Sequence, residues 1–331
     1  KIEGDLFLKR QFKIKNGEME FAFDSSQNIQ DDILQKELAH TSDEKMKSII
    51  STIQKEQNDI IRKSPYHNIA LHRVAFLLYR FRDTIKAQNV TIISPNKVFG
   101  DYISSVLPEL GEEPIFEASL EDLALIQIEE GVDFVGEKNP LETDDPAWTR
   151  RVRFKGTADF VRQMDEYIEK LPELAFEAQD YVFGEFSVPA DWIRERVAIY
   201  RRFPLLKRLE QVADDIHSRL ENEFLREEKP PHRNTILQGL RKMLKYKTTL
   251  QAYKAFYSWL VEPKMYKPVQ KGVLEWNDVF PYLYLQSYFT GLQESRLIKH
   301  LVIDEMQDYT PVQYAVLNRL FQCPKTILGD F

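Results

Sequence analysis

Near the carboxyl end of the sequence stands LIKHLVIDEMQDYTPVQYAVLNRLFQCPKTILGDF, residues 297–331. Three apolar residues, Leu301, Val302 and Ile303, run directly into Asp304-Glu305. A carboxylate pair at the end of a strand can hold Mg²⁺ through Asp304 while Glu305 orients or deprotonates a water for attack on a γ-phosphate. Gln307 and Asp308 would project from the loop beyond it. An Asp-Glu after an apolar strand is common by itself. Here it is followed by Gln-Asp, by the helical pattern PVQYAVLNRLF and by a second apolar run ending in Gly329-Asp330, a combination far more specific.

Such carboxylates need strands to carry them. VTIIS at 90–94, LVI at 301–303 and TILGD at 326–330 are short continuous apolar runs, the signature of buried parallel strands, and the helical patterns between them predict an α/β fold. Open sheets of this kind bind ligands at the carboxyl ends of their strands, which is where Asp304 and Glu305 fall. Residues 69–82, IALHRVAFLLYRFR, predict a strongly apolar helix, and helical spacing also covers about 28–63. Two alternating runs joined by Asn16-Gly17 predict a β-hairpin within residues 1–30.

A different region separates the strands. Residues 116–148 hold ten acidic residues against the single Lys138, with Pro140 and Pro146, and predict an acidic, partly irregular arm. The basic cluster TRRVRFK (149–155) comes next, then long amphipathic helices over 157–228 with a break at Pro204. Helical pattern resumes at 235–262 and 276–297.

Whole-chain composition narrows the classes. The 331 residues are 43% hydrophobic and 29% charged, which excludes disordered, collagen-like and mucin-like chains. A net charge of -7 argues against nonspecific attraction to nucleic acid over the whole surface, so any such contact must be local. Cys323 is the only cysteine, so no internal disulfide or cysteine zinc set forms, and a reducing cytoplasm is expected. No apolar stretch is long enough to span a membrane, so no membrane association is expected.

Taken together, these segments resemble superfamily 1 helicases of the UvrD/Rep type. In that resemblance DEMQD (304–308) is motif II and ILGD (327–330) begins motif III. TIQKEQNDIIR (52–62) is similar to the Q motif, with Gln57 in the place that reads adenine and Arg62 at the nucleotide. IALHRVAFLLYR resembles the helix directly after the phosphate-binding loop. TIISPNK (91–97) looks like motif Ia, whose Ser94, Asn96 and Lys97 would lie where a single strand of nucleic acid crosses. Within that group the match is closest to the HelD-like family of RNA polymerase-associated motors, through LFLKRQFKIKNGEMEF, DDILQKEL, LEWNDVFPYLYLQ (274–286) and Tyr309.

The resemblance implies a RecA-like P-loop NTPase domain with a parallel sheet, interrupted by a large, mainly helical insertion. Residues 1–50 would end the N-terminal region, 51–115 and 236–331 would form the first RecA-like domain, and 116–235 would be the insertion. It implies ATP and Mg²⁺ as ligands, with Asp304 on the metal, Glu305 as base, and Gln307 with Asp330 coupling nucleotide state to movement. It implies core RNA polymerase as partner, with DNA as a further one, and the release of polymerase from nucleic acid as the work done. The alternatives are a UvrD/Rep-type DNA helicase and an ATP-independent polymerase-binding module.

One departure from the family pattern bears on all of this. The phosphate-binding loop should read GxxxxGK[ST] after a strand, but IIRKSPYHNIALHR (60–73) has neither glycine nor strand, and Lys247-Thr248 lacks a glycine loop before it. Without the backbone N–H cradle of such a loop, ATP would bind poorly if at all. Either the chain is a relative that works without ATP, or a loop-bearing segment is missing between Tyr66 and Ile69. A post-loop helix retained beside an Asp-Glu favours the second, and the low count of 12 glycines fits it. Isolated histidines such as His72, and the aromatic runs YKAFYSWL and VFPYLYLQSYF, read as packing residues, and Cys323 as inert.

Overall fold

The computed structural model describes residues 10–15, 18–24, 84–94, 115–138, 143–223 and 230–329. The chain divides into two compact units, Lys1–Leu120 with Leu297–Asp308 and Cys323–Phe331, and Glu121–Arg296 with Tyr309–Gln322. The expected helices over 28–63 and 69–82 lie outside the described residues.

In chain order the first unit begins with β1 (Arg10–Lys15) and β2 (Glu18–Asp24), an antiparallel pair joined by residues 16 and 17, with a register shift at Lys13/Ile14. The Asn-Gly hairpin is thus present. Next come β3 (Val90–Ile93) and β4 (Phe116–Ala118). The helical unit is built from α1 (Leu120–Gln127), β5 (Asp133–Phe134), α2 (Pro146–Lys155), α3 (Ala158–Ala175), β6 (Tyr181–Phe183) and β7 (Phe186–Val188). It continues through α4 (Ala190–Ile199), α5 (Leu205–Glu223), α6 (Arg233–Lys242), α7 (Thr249–Trp259), β8 (Val273–Leu274) and α8 (Trp276–Phe289). The chain then forms β9 (His300–Ile303), α9 (Pro311–Leu320), which belongs to the helical unit, and β10 (Lys325–Ile327).

In the first unit β10, β9, β3 and β4 lie side by side in that order, all parallel. The fold is therefore α/β with a parallel sheet. Every residue of β3 and β9 is buried, which is why both read as unbroken apolar runs. The register sets Ala118, Ile93, Ile303 and Ile327 level across the four strands. Their successors in the chain, Ser119, Ser94, Asp304 and Leu328, therefore emerge along one edge.

The helical unit grows from amphipathic spacing. α3 buries Phe160, Met164, Tyr167, Ile168, Leu171 and Ala175, and its first turn is capped by Thr157, whose hydroxyl accepts from Phe160 N–H at 3.1 Å. α5 buries Leu205, Leu209, Val212, Ala213, Ile216 and Leu220 on one stripe, and Pro204 stands at the break before it. The aromatic runs are core, with Tyr253, Phe256, Tyr257, Phe280 and Tyr282 all buried. The stretch expected to be an acidic, partly irregular arm contributes β4, α1, β5 and the start of α2, with irregular chain at 135–138 and 143–145. Its carboxylates have structural work: Asp145 accepts from Ala147 and Trp148 N–H at the start of α2, and these amide bonds, Trp148's first, hold its pKa below the usual value.

At the centre of this unit, α2 meets the first turn of α8 through charge rather than apolar contact. Lys155 Nζ lies 2.7 Å from Asp278 Oδ1, both side chains almost wholly excluded from solvent. The same oxygen accepts from Tyr253 OH at 2.5 Å and Tyr257 OH at 3.1 Å. One helical turn away, Arg151 grips Glu275 with two parallel N–H bonds of 3.0 and 2.7 Å. Burial pushes the Lys155 ammonium down and the Asp278 carboxyl up, and each partner opposes the shift of the other.

Removing one partner of such a pair strands the other charge. Lys155→Met should lower the free energy of unfolding in urea by about 3–5 kcal/mol, and adding Asp278→Asn should recover part of that loss. A double variant no more stable than the single one would show that the pair is not the source of the cost. Glu275 supplies a pH test. Burial is the largest influence and raises its carboxyl pKa, but the hydrogen bonds from Arg151 and Asn277 and the charges of Arg151 and Lys155 together outweigh it, and the net value falls below the ordinary 4.5. Its stabilisation is therefore complete above pH 4.5 and is lost as pH falls through the lower folded value. Urea midpoints should drop over that window, and Glu275→Gln should flatten the drop.

Candidate functional site

The level register of the sheet decides which side chains share its carboxyl edge. Ser94 succeeds β3, Asp304 succeeds β9, and Leu328 with Gly329 succeeds β10. Three backbone bonds lace these ends together. Asp304 N–H donates to Ile93 O at 3.0 Å, Leu328 N–H to Ile303 O at 2.8 Å, and Met306 N–H to Leu328 O at 2.8 Å. Asp304 and Ser94 are each only 3% exposed. Glu305 and Met306 are half-buried and Gln307 is exposed, so access to solvent increases along the turn.

Glu305 sits in the left-handed region, at φ +53°, where a Cβ crowds the following carbonyl. That conformation ends β9 abruptly. Met306–Asp308 then form one short 3-10 turn, closed by Asp308 N–H donating to Glu305 O at 2.9 Å. Gln307 Nε2 donates to Glu305 Oε2 at 2.7 Å, so the amide orients the carboxylate expected to act on water. Strained backbone held in place by its surroundings is a frequent property of sites where a side chain must be aimed.

Gly329 explains how β10 approaches so closely. A Cβ there would stand 2.3 Å from Met306 Cγ, 2.6 Å from Gln307 Oε1 and 2.9 Å from Met306 N. Only the absence of a side chain lets the end of β10 pass the 306–307 turn.

The structure thus brings Ser94, Asp304, Glu305 and Gln307 to one end of three adjacent strands. Gln57, Arg62, Asn96, Lys97 and Asp330 lie outside the described residues, as does the seam from Tyr66 to Ile69. Lys247-Thr248, the look-alike for a phosphate-loop pair, has a structural use. Lys247 Nζ donates to Arg241 O and Lys242 O at 3.1 and 2.9 Å at the end of α6, and Thr248 caps α7 by accepting from Gln251 N–H at 3.2 Å.

Among the described residues no three histidine, cysteine, aspartate or glutamate side chains converge as a metal site. The Asp304-Glu305 edge fits Mg²⁺, which is held by one or two carboxylates and otherwise by water and phosphate oxygens. It does not fit Zn²⁺ or Ca²⁺, which demand more protein ligands. At Cys323 burial pushes the thiol pKa up, which disfavours the thiolate.

Compared with models of known protein families and with curated proteins, the chain matches none. Among the described residues no helix is long and apolar enough to cross a membrane.

The sequence offered no sign of the glycine's part in this edge beyond the Gly-Asp pair itself, and none of the positive φ at Glu305. Gly329→Ala is expected to cost about 1–3 kcal/mol in urea unfolding, because the new methyl meets backbone as well as side chain. An unchanged midpoint would mean that the turn over Met306 and Gln307 yields freely.

Proposed function

We propose that this chain is part of an ATP-dependent, HelD-like motor that binds core RNA polymerase and releases it from nucleic acid. The observation that carries the proposal is the carboxyl edge of the sheet, where a buried aspartate and a more open, amide-oriented glutamate stand level with Ser94 and Gly329. A dry carboxylate beside a wet one divides metal holding from water activation. In the intact motor Asp304 would hold Mg²⁺ against the phosphates. Glu305 would take a proton from the water whose oxygen attacks the γ-phosphorus as the bond to the ADP oxygen breaks. Gln307 aims that carboxylate, and Gln57 with Arg62 would hold the adenine end. Ser94, Asn96 and Lys97 would meet the nucleic-acid strand.

The outer side of β10 supports the same assignment. This strand ends the described sheet, with no described strand paired along that side. An additional parallel strand along that side is what a phosphate-binding loop would need before it.

A second reading has an observation of its own. The 331 residues contain no GK[ST], which favours a module that contacts polymerase without ATP. An ordinary UvrD/Rep-type DNA helicase is the third. All three separate in one set of measurements. The purified chain should co-elute with core RNA polymerase and show no ATP turnover by itself. In the full-length protein Glu305→Gln should lower kcat on the order of a hundredfold or more while KM for ATP holds. Polymerase release that survives Glu305→Gln undiminished would favour the module. ATPase stimulated by single-stranded DNA with no polymerase binding would favour the helicase.

A further inference from the structure

Within the helical unit a cavity of about 810 Å³ opens among the end of α1, the turn between α4 and α5, the carboxyl end of α8 and the segment just after it. It is of a size that accepts a small organic ligand or part of a polymer. Four cations line it, Arg202 and Lys207 from the α4–α5 region, Arg296 after α8 and Arg319 on α9. None of Arg202, Lys207 and Arg296 has a carboxylate partner among the described residues. Arg319 stands over the Tyr288 ring, its guanidinium carbon 4.3 Å from the centroid, a cation–π contact that holds the charge at the cavity wall.

The acidic groups of the wall are not equivalent to these cations. Glu129 is consumed internally, accepting from Thr249 Oγ1 at 2.5 Å, from Tyr282 OH at 3.2 Å and from Thr290 Oγ1. Glu130 and Glu294 remain, outnumbered by the cations. Two large apolar side chains share the same cavity while exposed, Ile126 at 54% and Phe203 at 46%. Gln286, only 4% exposed, lines it as well, and its Oε1 has no hydrogen-bond partner among the described residues. Unpaired cations and bare apolar faces together match the phosphate and the ring face of a nucleotide.

The walls are fixed in advance. Arg208 donates to Phe203 O at 2.7 Å and Arg201 O at 3.1 Å, locking the turn that presents Arg202 and Phe203. Gln127 holds the opposite wall, donating to Gln293 O at 3.1 Å and accepting from Gln293 N–H at 2.9 Å. Gly291, at φ +107°, packs so closely on Pro204 that a Cβ would be 3.2 Å from the ring. Preorganisation of this kind reduces the entropy lost on binding.

We propose that this cavity binds a phosphate-bearing nucleotide unit, most simply one of a single nucleic-acid strand passing through it. The proposal does not rest on the motor assignment, because none of these residues belongs to the sheet edge.

The test is fluorescence anisotropy of the full chain with a labelled oligothymidylate about ten nucleotides long. Arg202→Glu with Lys207→Glu should weaken binding at least tenfold and reduce the salt slope by about 1.4, the value for two lost single-strand phosphate contacts. Arg296→Glu, a separate wall, should weaken it in the same sense. Lys242→Glu, an exposed cation on α6 away from the cavity, should leave it unchanged. Competition by thymidine monophosphate would mark a free nucleotide as the occupant, and its failure to compete a strand; either supports the site. Loss of binding in Lys97→Glu with none in the cavity variants would overturn the proposal. It is equally overturned if the unmodified chain binds neither probe, or prefers a polyglutamate peptide over both.

Discussion

Three backbone bonds hold the candidate site together: Asp304 N–H to Ile93 O, Leu328 N–H to Ile303 O and Met306 N–H to Leu328 O. They continue the parallel ladder one residue past its last apolar row, so polar side chains emerge at a height set by the sheet rather than by a flexible loop. Because Asp304 is anchored through its own amide, its carboxylate stays near the protein interior. Glu305, one residue later, is turned out of the strand by its left-handed backbone. A strand of ordinary geometry would have sent these two side chains to opposite faces of the sheet. The positive φ is therefore the feature that lets neighbouring acids differ in exposure while serving one edge. It costs on the order of 1 kcal/mol, which the ladder on both sides of it offsets.

The helical unit solves a different problem with a related device. Its centre is dense in tyrosine and phenylalanine, which pack in edge-on and tilted pairs such as Tyr253 with Tyr282 at 5.7 Å. Apolar contact alone is tolerant of sliding. The pairings of Lys155 with Asp278 and Arg151 with Glu275 are one turn apart on α2 and three residues apart at the start of α8, where Glu275 is the cap, so both can be made in one register only. Tyr253 and Tyr257 donate to the same Asp278 oxygen that Lys155 holds, tying α7 into that register. Burying these charges contributes little net stability, so their use is to choose one packing among several of similar energy.

How far the sequence revealed this depended on the range of each signal. β3, β9 and β10 were legible because buried parallel strands are continuous apolar runs, and Asp304-Glu305 was legible because it abuts one. β4 was not, since Phe116-Glu117-Ala118 is three residues long and its phenylalanine faces outward at 58% exposure. The β6 and β7 hairpin was missed for the same reason, its strands being three residues each within a region of helical spacing. The acidic stretch misled because a run of like charge says nothing of what each carboxylate meets. Asp145 meets the amides of Ala147 and Trp148 just beyond it, and Glu129 meets the hydroxyls of Thr249 and Tyr282, 120 and 153 residues away. Register, backbone sign and the company kept by a charge are tertiary properties, and no local pattern encodes them.

That limit applies with most force to electrostatics. The chain carries a net charge of -7, from which repulsion of nucleic acid over the surface as a whole follows. Yet at physiological ionic strength a charge is felt over about 8 Å, so an approaching phosphate responds to its immediate neighbours and hardly to the total. The fold gathers Arg202, Lys207, Arg296 and Arg319 into one cavity and engages Glu129 with three hydroxyls in its wall. An acidic protein can thus present a basic surface a few ångströms across without changing its composition. An acidic exterior would then oppose unspecific adsorption, leaving a strand held only where cations and apolar faces coincide.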